Sequence, residues 1–317
     1  MKTRGSLTAL MFAAMSALPV SAQIADTPDA LMALQELGQE LSREMVGGTM
    51  KLYGQMLASE DDAGLDVVSD AAYGSDRRHL LDLRVAEGAT GQPVVLLVHG
   101  GGFVRGDKGD IVNMARWFAR HGVVAVTMNY RLAPDARWPA GAEDVASALG
   151  WIADHAAAHG GDPSKVVVIG DSAGAMHVAD YVFREELQAE EDGVIGAVLI
   201  SPPVVDLRAR ALDPERDLLY YGAEGDRAAQ SVVEAVAGRE IPVLVAYAQN
   251  EPAVISDQTR RLIEALAERD GRLPLIASAP GHNHISIVSH FGTADDSFGR
   301  DLLGFVALRA LLAGQDG

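Results

Sequence analysis

The sequence contains no cysteine. Disulfides, thiolate nucleophiles and cysteine-ligated zinc are therefore excluded, and stability has to come from packing. Aromatic residues make up only 5% of the chain, against 48% for all hydrophobic residues, so the core must be mainly aliphatic. Basic residues are also scarce: 26 Lys and Arg stand against 44 Asp and Glu, a net charge of −18. Such a surface repels phosphate backbones and anionic lipid, which argues against a nucleic-acid partner or stable membrane insertion. Beyond the first residues no apolar run is long enough to cross a bilayer as a helix. Repeats, low-complexity tracts and linkers are absent. Nucleotide loops are missing too. Gly101 to Lys108 has glycines at phosphate-loop spacing, but Asp107 separates Gly106 from Lys108 and no Ser or Thr follows. No G-x-G-x-x-G follows an expected strand.

What is present begins with a leader. Lys2 and Arg4 give a basic start, residues 7–18 are mostly apolar, and Val20-Ser21-Ala22 is a small-residue cleavage site. Residues 1–22 are expected to be a secretory signal, cut before Gln23, with residues 23–317 forming one exported domain, secreted or periplasmic. Thr27-Pro28 is a good helix start, Thr as N-cap and Pro at the first helical position. Leu31, Leu34, Leu37, Leu41 and Met45 then share one helical face up to a stop at Gly47-Gly48, and a second helix follows over about 50–58. This helical segment, 24–58, either packs on the body or roofs a pocket.

From there apolar runs alternate with helical stretches. Strands are expected at 93–98, 123–128, 166–169, 194–200, 241–248 and 273–277, preceded by one or two edge strands within 67–85. Helices are expected at 110–121, 141–159, 175–188, 257–269 and 302–313. Continuous apolar strands, rather than alternating ones, mark a mostly parallel sheet covered on both faces, an α/β fold. In such sheets the site lies beyond the carboxyl ends of the strands.

The residues at those ends carry the chemistry. Gly170-Asp171-Ser172-Ala173-Gly174 is G-x-S-x-G between a buried strand and a helix, the nucleophile elbow. The turn is so tight that side chains two positions either side of Ser172 would collide, hence the glycines. His99-Gly100-Gly101-Gly102-Phe103 follows the strand at 93–98. Its bare backbone can offer the amides of Gly101 and Gly102, with that of Ala173 from the elbow, to a developing oxyanion. Glu251 follows the strand at 241–248, where an acid that orients a histidine belongs. Asp257 competes with it but sits where a helix should begin, as a cap would. His282 and His284 follow the last strand, and one of them is expected to be the general base. A metal site built from His282, His284 and His290 is the weaker alternative, because no carboxylate at ligand spacing accompanies them. His79, His121, His155, His159 and His177 are expected to be surface or core residues.

Taken together, HGGGF (99–103), NYRLAP (129–134), WPAGAEDV (138–145), GGDPSKVVVIGDSAG (160–174) and GHNHIS (281–286) resemble the hormone-sensitive-lipase-like carboxylesterases of the α/β-hydrolase superfamily, with arylformamidase-like and feruloyl-esterase-like relatives. The resemblance implies an α/β-hydrolase fold with a small N-terminal helical cap and a triad of Ser172, Glu251 and His284. It also implies an oxyanion hole from Gly101, Gly102 and Ala173, no metal or organic cofactor, and a small-molecule ester substrate. Tyr130 to Pro134 and Asp144 match residues that brace the oxyanion loop. Glu251 departs from the aspartate usual before proline by one methylene. The rival expectations are an amidase or arylformamidase with the same triad, and a non-catalytic binding protein on the same fold.

Overall fold

The computed structural model describes residues 28–189 and 191–315. The leader and the Thr27 cap lie outside those residues. Eight strands form a single sheet: β1 (Leu65–Ala72), β2 (Leu80–Ala86), β3 (Gln92–Val98), β4 (Val124–Met128), β5 (Gly161–Asp171), β6 (Val194–Ile200), β7 (Val243–Asn250) and β8 (Leu275–Asn283). Their spatial order is β1-β2-β4-β3-β5-β6-β7-β8. The first two pairings, β1 with β2 and β2 with β4, are antiparallel, and every later pairing is parallel. The sheet is thus mostly parallel, as its apolar runs indicated.

Among the described residues two helices precede the sheet, α1 (Pro28–Leu37) and α2 (Arg43–Met56). Helices α3 (Val112–Arg120), α4 (Ala140–His155) and α5 (Ala173–Phe183) connect the parallel strands, and short helices α6 (Asp217–Tyr221), α7 (Arg227–Gln230) and α8 (Val232–Ala235) carry the charged stretch between β6 and β7. Then come α9 (Ala253–Asp270), α10 (Ser286–Ser289) and the closing α11 (Ser297–Ala313).

Alternate residues of the central strands feed opposite sides of the sheet. Val94, Leu96 and Val98 of β3 join one buried cluster, with α4 and α5, while Val95 and Leu97 join the other, with α3 and α11. Burial on both faces is why these strands read as unbroken apolar runs. The register then sets the site. Val98 lies beside Gly170, Asp171 beside Ile200, Ile200 beside Ala246, and Asn250 beside Asn283. The residues that follow five strands therefore emerge along one edge.

Several boundaries differ from the sequence reading. The last strand runs from Leu275 to Asn283, so His282 lies within β8 and only His284 follows it. The first helix ends at Leu37, not at Gly47-Gly48; Gly38, with φ +75°, makes the break, and Ser42 caps α2 by accepting from the Met45 amide at 3.0 Å. Gly47 and Gly48 lie inside α2. A Cβ on Gly48 would strike the Leu37 side chain, so this glycine marks the close approach of α1 and α2 rather than a stop. Helix α9 starts at Ala253, which puts Asp257 in its second turn instead of at its cap.

Candidate active site

The elbow is built by backbone crowding. Ser172 sits between β5 and α5 with φ 52° and ψ −117°, outside the ordinary regions for a side-chain-bearing residue. A Cβ on Gly170 would run into the Gly174 carbonyl, and one on Gly174 into the Val98 carbonyl. Only glycine fits at either position, so the turn holds Ser172 at the start of α5. The Ser172 amide donates to the Ile200 carbonyl at 2.9 Å, which ties the turn to the neighbouring strand.

The histidine arrives from the far side of the sheet. His284 lies between β8 and α10 and is almost fully buried. Its Nε2 is 3.0 Å from the Ser172 Oγ, and its Nδ1 is 2.8 Å from the Glu251 Oε2. With Glu251 ionised, the proton on Nδ1 points to the carboxylate and Nε2 is left to accept from the serine hydroxyl. Glu251 follows directly on β7 and is buried. Its Oε1 accepts from the Ser201 hydroxyl and from the Ala248 amide at 3.3 Å. Those partners settle how the extra methylene is accommodated: the longer chain reaches across to Ser201 and still meets His284.

The charges around His284 oppose one another. Burial disfavours its protonated form, but the Glu251 charge and hydrogen bond, helped by Asp171, outweigh burial and raise its pKa above the usual imidazole value; Arg216 acts against them. Asp171, next to the serine, is pushed up to about 7, first by loss of solvation and then by Glu251, with His284 pulling the other way. Its Oδ1 is shut off from solvent and hydrogen-bonds to no described residue.

The glycine loop lies opposite. Gly101 and Gly102 have φ of +125° and +62°, the second against the stem of Arg216. Among the described residues, no protein acceptor meets the amides of Gly101, Gly102 or Ala173. The loop is braced from behind. The Tyr130 hydroxyl donates to the carbonyls of His99 at 3.0 Å and Gly100 at 3.2 Å, and the Ala133 amide donates to Phe103 at 3.0 Å. Arg131 is fixed in turn by Asp144, which accepts from its Nε at 2.8 Å. Burial brings His99 down to about 4, so this residue is a neutral packing ring, stacked on Tyr130 at 4.3 Å.

A cavity of about 360 Å³ opens above the serine. Its floor includes Gly101, Gly102, Ser172 and His284, and its wall takes Leu41, Val46 and Met50 from the N-terminal helical segment. Two runner-up residues lie elsewhere. His282 faces away, with Nδ1 3.1 Å from the Ser286 Oγ and Nε2 3.3 Å from Asp295. Asp257 is held by Arg260 and Arg261 at 2.8 Å each on the surface of α9. His290 packs against His282 with ring centres 4.1 Å apart and gives its Nδ1 to the Ser286 carbonyl. Among the described residues no three His, Cys, Asp or Glu side chains are grouped to hold a metal ion. No local pattern marks Ser201 in the sequence; its one signal is that it directly follows β6, at the same strand edge as the other site residues.

Residues 95–284 match the model of a family described as alpha/beta hydrolase fold. The chain belongs to this family, as a carboxylesterase-type hydrolase. Tuliposide A-converting enzyme b1, amyloplastic, of Tulipa gesneriana is 27% identical over 273 residues, which cover 80% of this chain and 70% of the tulip protein. Carboxylesterase NlhH of Mycobacterium tuberculosis is 46% identical over 84 residues, 26% of each chain. The crystal structure of esterase B from Lactobacillus rhamnosis superimposes with a TM-score of 0.71 at 20% identity, covering 91% of this chain and 98% of the other, and so shares the fold.

Proposed function

We propose that the protein is an exported serine carboxylesterase for short-acyl or aryl esters, with Ser172 as nucleophile, His284 as general base and Glu251 as its orienting acid. The observation that carries this reading is the unbroken line from the Ser172 Oγ to the His284 Nε2 at 3.0 Å and from the His284 Nδ1 to the Glu251 Oε2 at 2.8 Å.

In the first half-reaction His284 takes the Ser172 proton as Oγ attacks the ester carbonyl. The negative oxygen of the tetrahedral adduct is held by the free amides of Gly101, Gly102 and Ala173, and by the positive end of α5. His284 then gives its proton to the departing alkoxide, which leaves as the alcohol, and the acyl group stays on Ser172. In the second half-reaction His284 takes a proton from water, the water oxygen attacks the acyl-enzyme, and the acid leaves as Ser172 regains its proton. No step needs a metal or organic cofactor. A cavity of about 360 Å³ is at the small end for ligand pockets, which supports short acyl chains over triglycerides. Export rests on the basic start, the apolar run and the small-residue site of residues 1–22.

A panel of p-nitrophenyl esters from acetate to decanoate, with matched p-nitroanilides, tests the reading on protein lacking residues 1–22. It expects ester turnover greatest at short chains and abolished in Ser172→Ala. Turnover that survives Ser172→Ala, or anilides cleaved faster than esters, would overturn it. Export is checked by the mass of the protein recovered outside the cytoplasm, which should begin at Gln23.

A further inference from the structure

The N-terminal helix α2 has two working faces. Val46 and Met50, one helical turn apart, look into the cavity above Ser172. Met45, Thr49 and Tyr53, also at four-residue spacing, are buried on the other side. There the Thr49 Oγ1 accepts from the Asn283 Nδ2 at 3.0 Å. Asn283 is the residue just before His284, and its side chain shapes the turn that carries the histidine. Its Oδ1 accepts from the amides of Ile285 at 3.0 Å and Ser286 at 2.9 Å, and its own amide donates to the Ser286 Oγ at 2.8 Å. Because Oδ1 is committed to two amide donors, the NH2 group must face Thr49; the amide cannot be turned around without leaving donors facing donors. Thr49, Asn283 and Ser286 are all fully buried, so no water can replace a lost partner. Helix α1 adds to the clamp, with Leu31 lying against Gly281 at the approach to the same turn.

Resting on the esterase reading above, we infer that Thr49 is a positioning residue for the general base: through Asn283 it fixes the turn that sets His284 between Ser172 and Glu251, so α2 both lines the acyl pocket and aligns the catalytic histidine. Thr49 touches neither substrate nor reacting atoms. Its effect should appear in kcat rather than KM, since the pocket face of α2 is unchanged.

The test compares Thr49→Val, of nearly the same shape but without the hydroxyl, with Thr49→Ser, which restores it. Three measurements are made on each: ester kcat and KM, the pH-rate profile, and the low-field proton resonance of the His284 Nδ1–H, recognised by its loss in Glu251→Gln. For Thr49→Val we expect kcat to fall about tenfold with KM held, as for loss of one buried hydrogen bond. Its acid limb should move to lower pH as the Glu251 contact loosens, and the resonance should broaden or vanish. Thr49→Ser should recover all three. A Thr49→Val protein with lowered thermal stability but wild-type kcat, pH profile and resonance overturns the inference. So does a loss that Thr49→Ser fails to repair. The resonance separates this outcome from failure of the esterase reading: an inactive wild type whose resonance still responds to Thr49→Val refutes the esterase, and one whose resonance ignores it refutes the positioning role.

Discussion

The serine and the histidine face each other across 3.0 Å, yet they are placed by opposite means. Ser172 is set by its own neighbours in sequence. Gly170 and Gly174 clear the space, β5 delivers the chain and α5 receives it, and the strained backbone follows from the crowding. His284 is set by residues remote in sequence. Thr49 holds the adjacent Asn283 from 234 positions away, and Glu251 reaches His284 itself from 33. Local crowding makes a rigid post, while distant contacts make an adjustable arm. Damage to the first should show in folding, and damage to the second in turnover.

Substitutions can separate these two modes. On the proposed mechanism the largest effects belong to the nucleophile and the acid that orients its base. Ser172→Ala should lower kcat by roughly 10⁴-fold or more, and Glu251→Gln by roughly 10³- to 10⁴-fold, because a neutral amide cannot stabilise the charged imidazole. Steady-state hydrolysis of a p-nitrophenyl ester measures both. Glu251→Asp should fall between Glu251→Gln and wild type, since the charge remains but the shorter chain cannot satisfy Ser201 and His284 together.

The glycines sharpen the contrast. Gly174→Ala drives a methyl group into the Val98 carbonyl and should destabilise the fold by about 3 kcal/mol, the upper range for overpacking. Gly281→Ala puts its methyl 2.9 Å from the flexible end of Leu31, at a φ of +80°. It should cost about 1 kcal/mol of backbone strain and disturb kcat more than stability. Urea denaturation beside kinetics distinguishes the two. Equal stability losses would erase the distinction between post and arm.

The smallest expected effect is a shift in pH. On the proposed mechanism His284 must be neutral to accept the serine proton, so activity should rise with pH through its pKa, which Glu251 and Asp171 hold above the ordinary imidazole value against the pull of burial. Asp171→Asn removes one of the charges favouring the imidazolium. The acid limb of kcat/KM should therefore move to lower pH, and any contribution from Asp171 titrating near 7 should disappear with it. A profile that moves upward or not at all would mean that Asp171 does not bear on His284.

The same contrast explains what could be read from the sequence. The elbow is legible because its pattern lies within five residues, although Val98 and Ile200 from neighbouring strands help to shape it, and the parallel sheet because apolar runs record burial on both faces. The glycine loop was visible for the same local reason. Spacing does not separate His282 from His284, because both lie at the end of β8 and only the partners differ: Asp295 and Ser286 for one, Glu251 and Ser172 for the other. Nothing near Ser201 in sequence signals the carboxylate it serves. Gly48 reads as a stop between the N-terminal helices, but it is there to admit Leu37 from the neighbouring helix. Long-range packing, in each case, was the missing information.

The central claim is that His284 activates Ser172. It is tested most directly by the rate at which a fluorophosphonate labels the protein, followed by intact mass and peptide mapping, in wild type and His284→Gln. The account predicts a single adduct on the peptide carrying Ser172, formed roughly 10³-fold or more slower once the imidazole is gone. Labelling at another residue, or at Ser172 with an unchanged rate in His284→Gln, would contradict it.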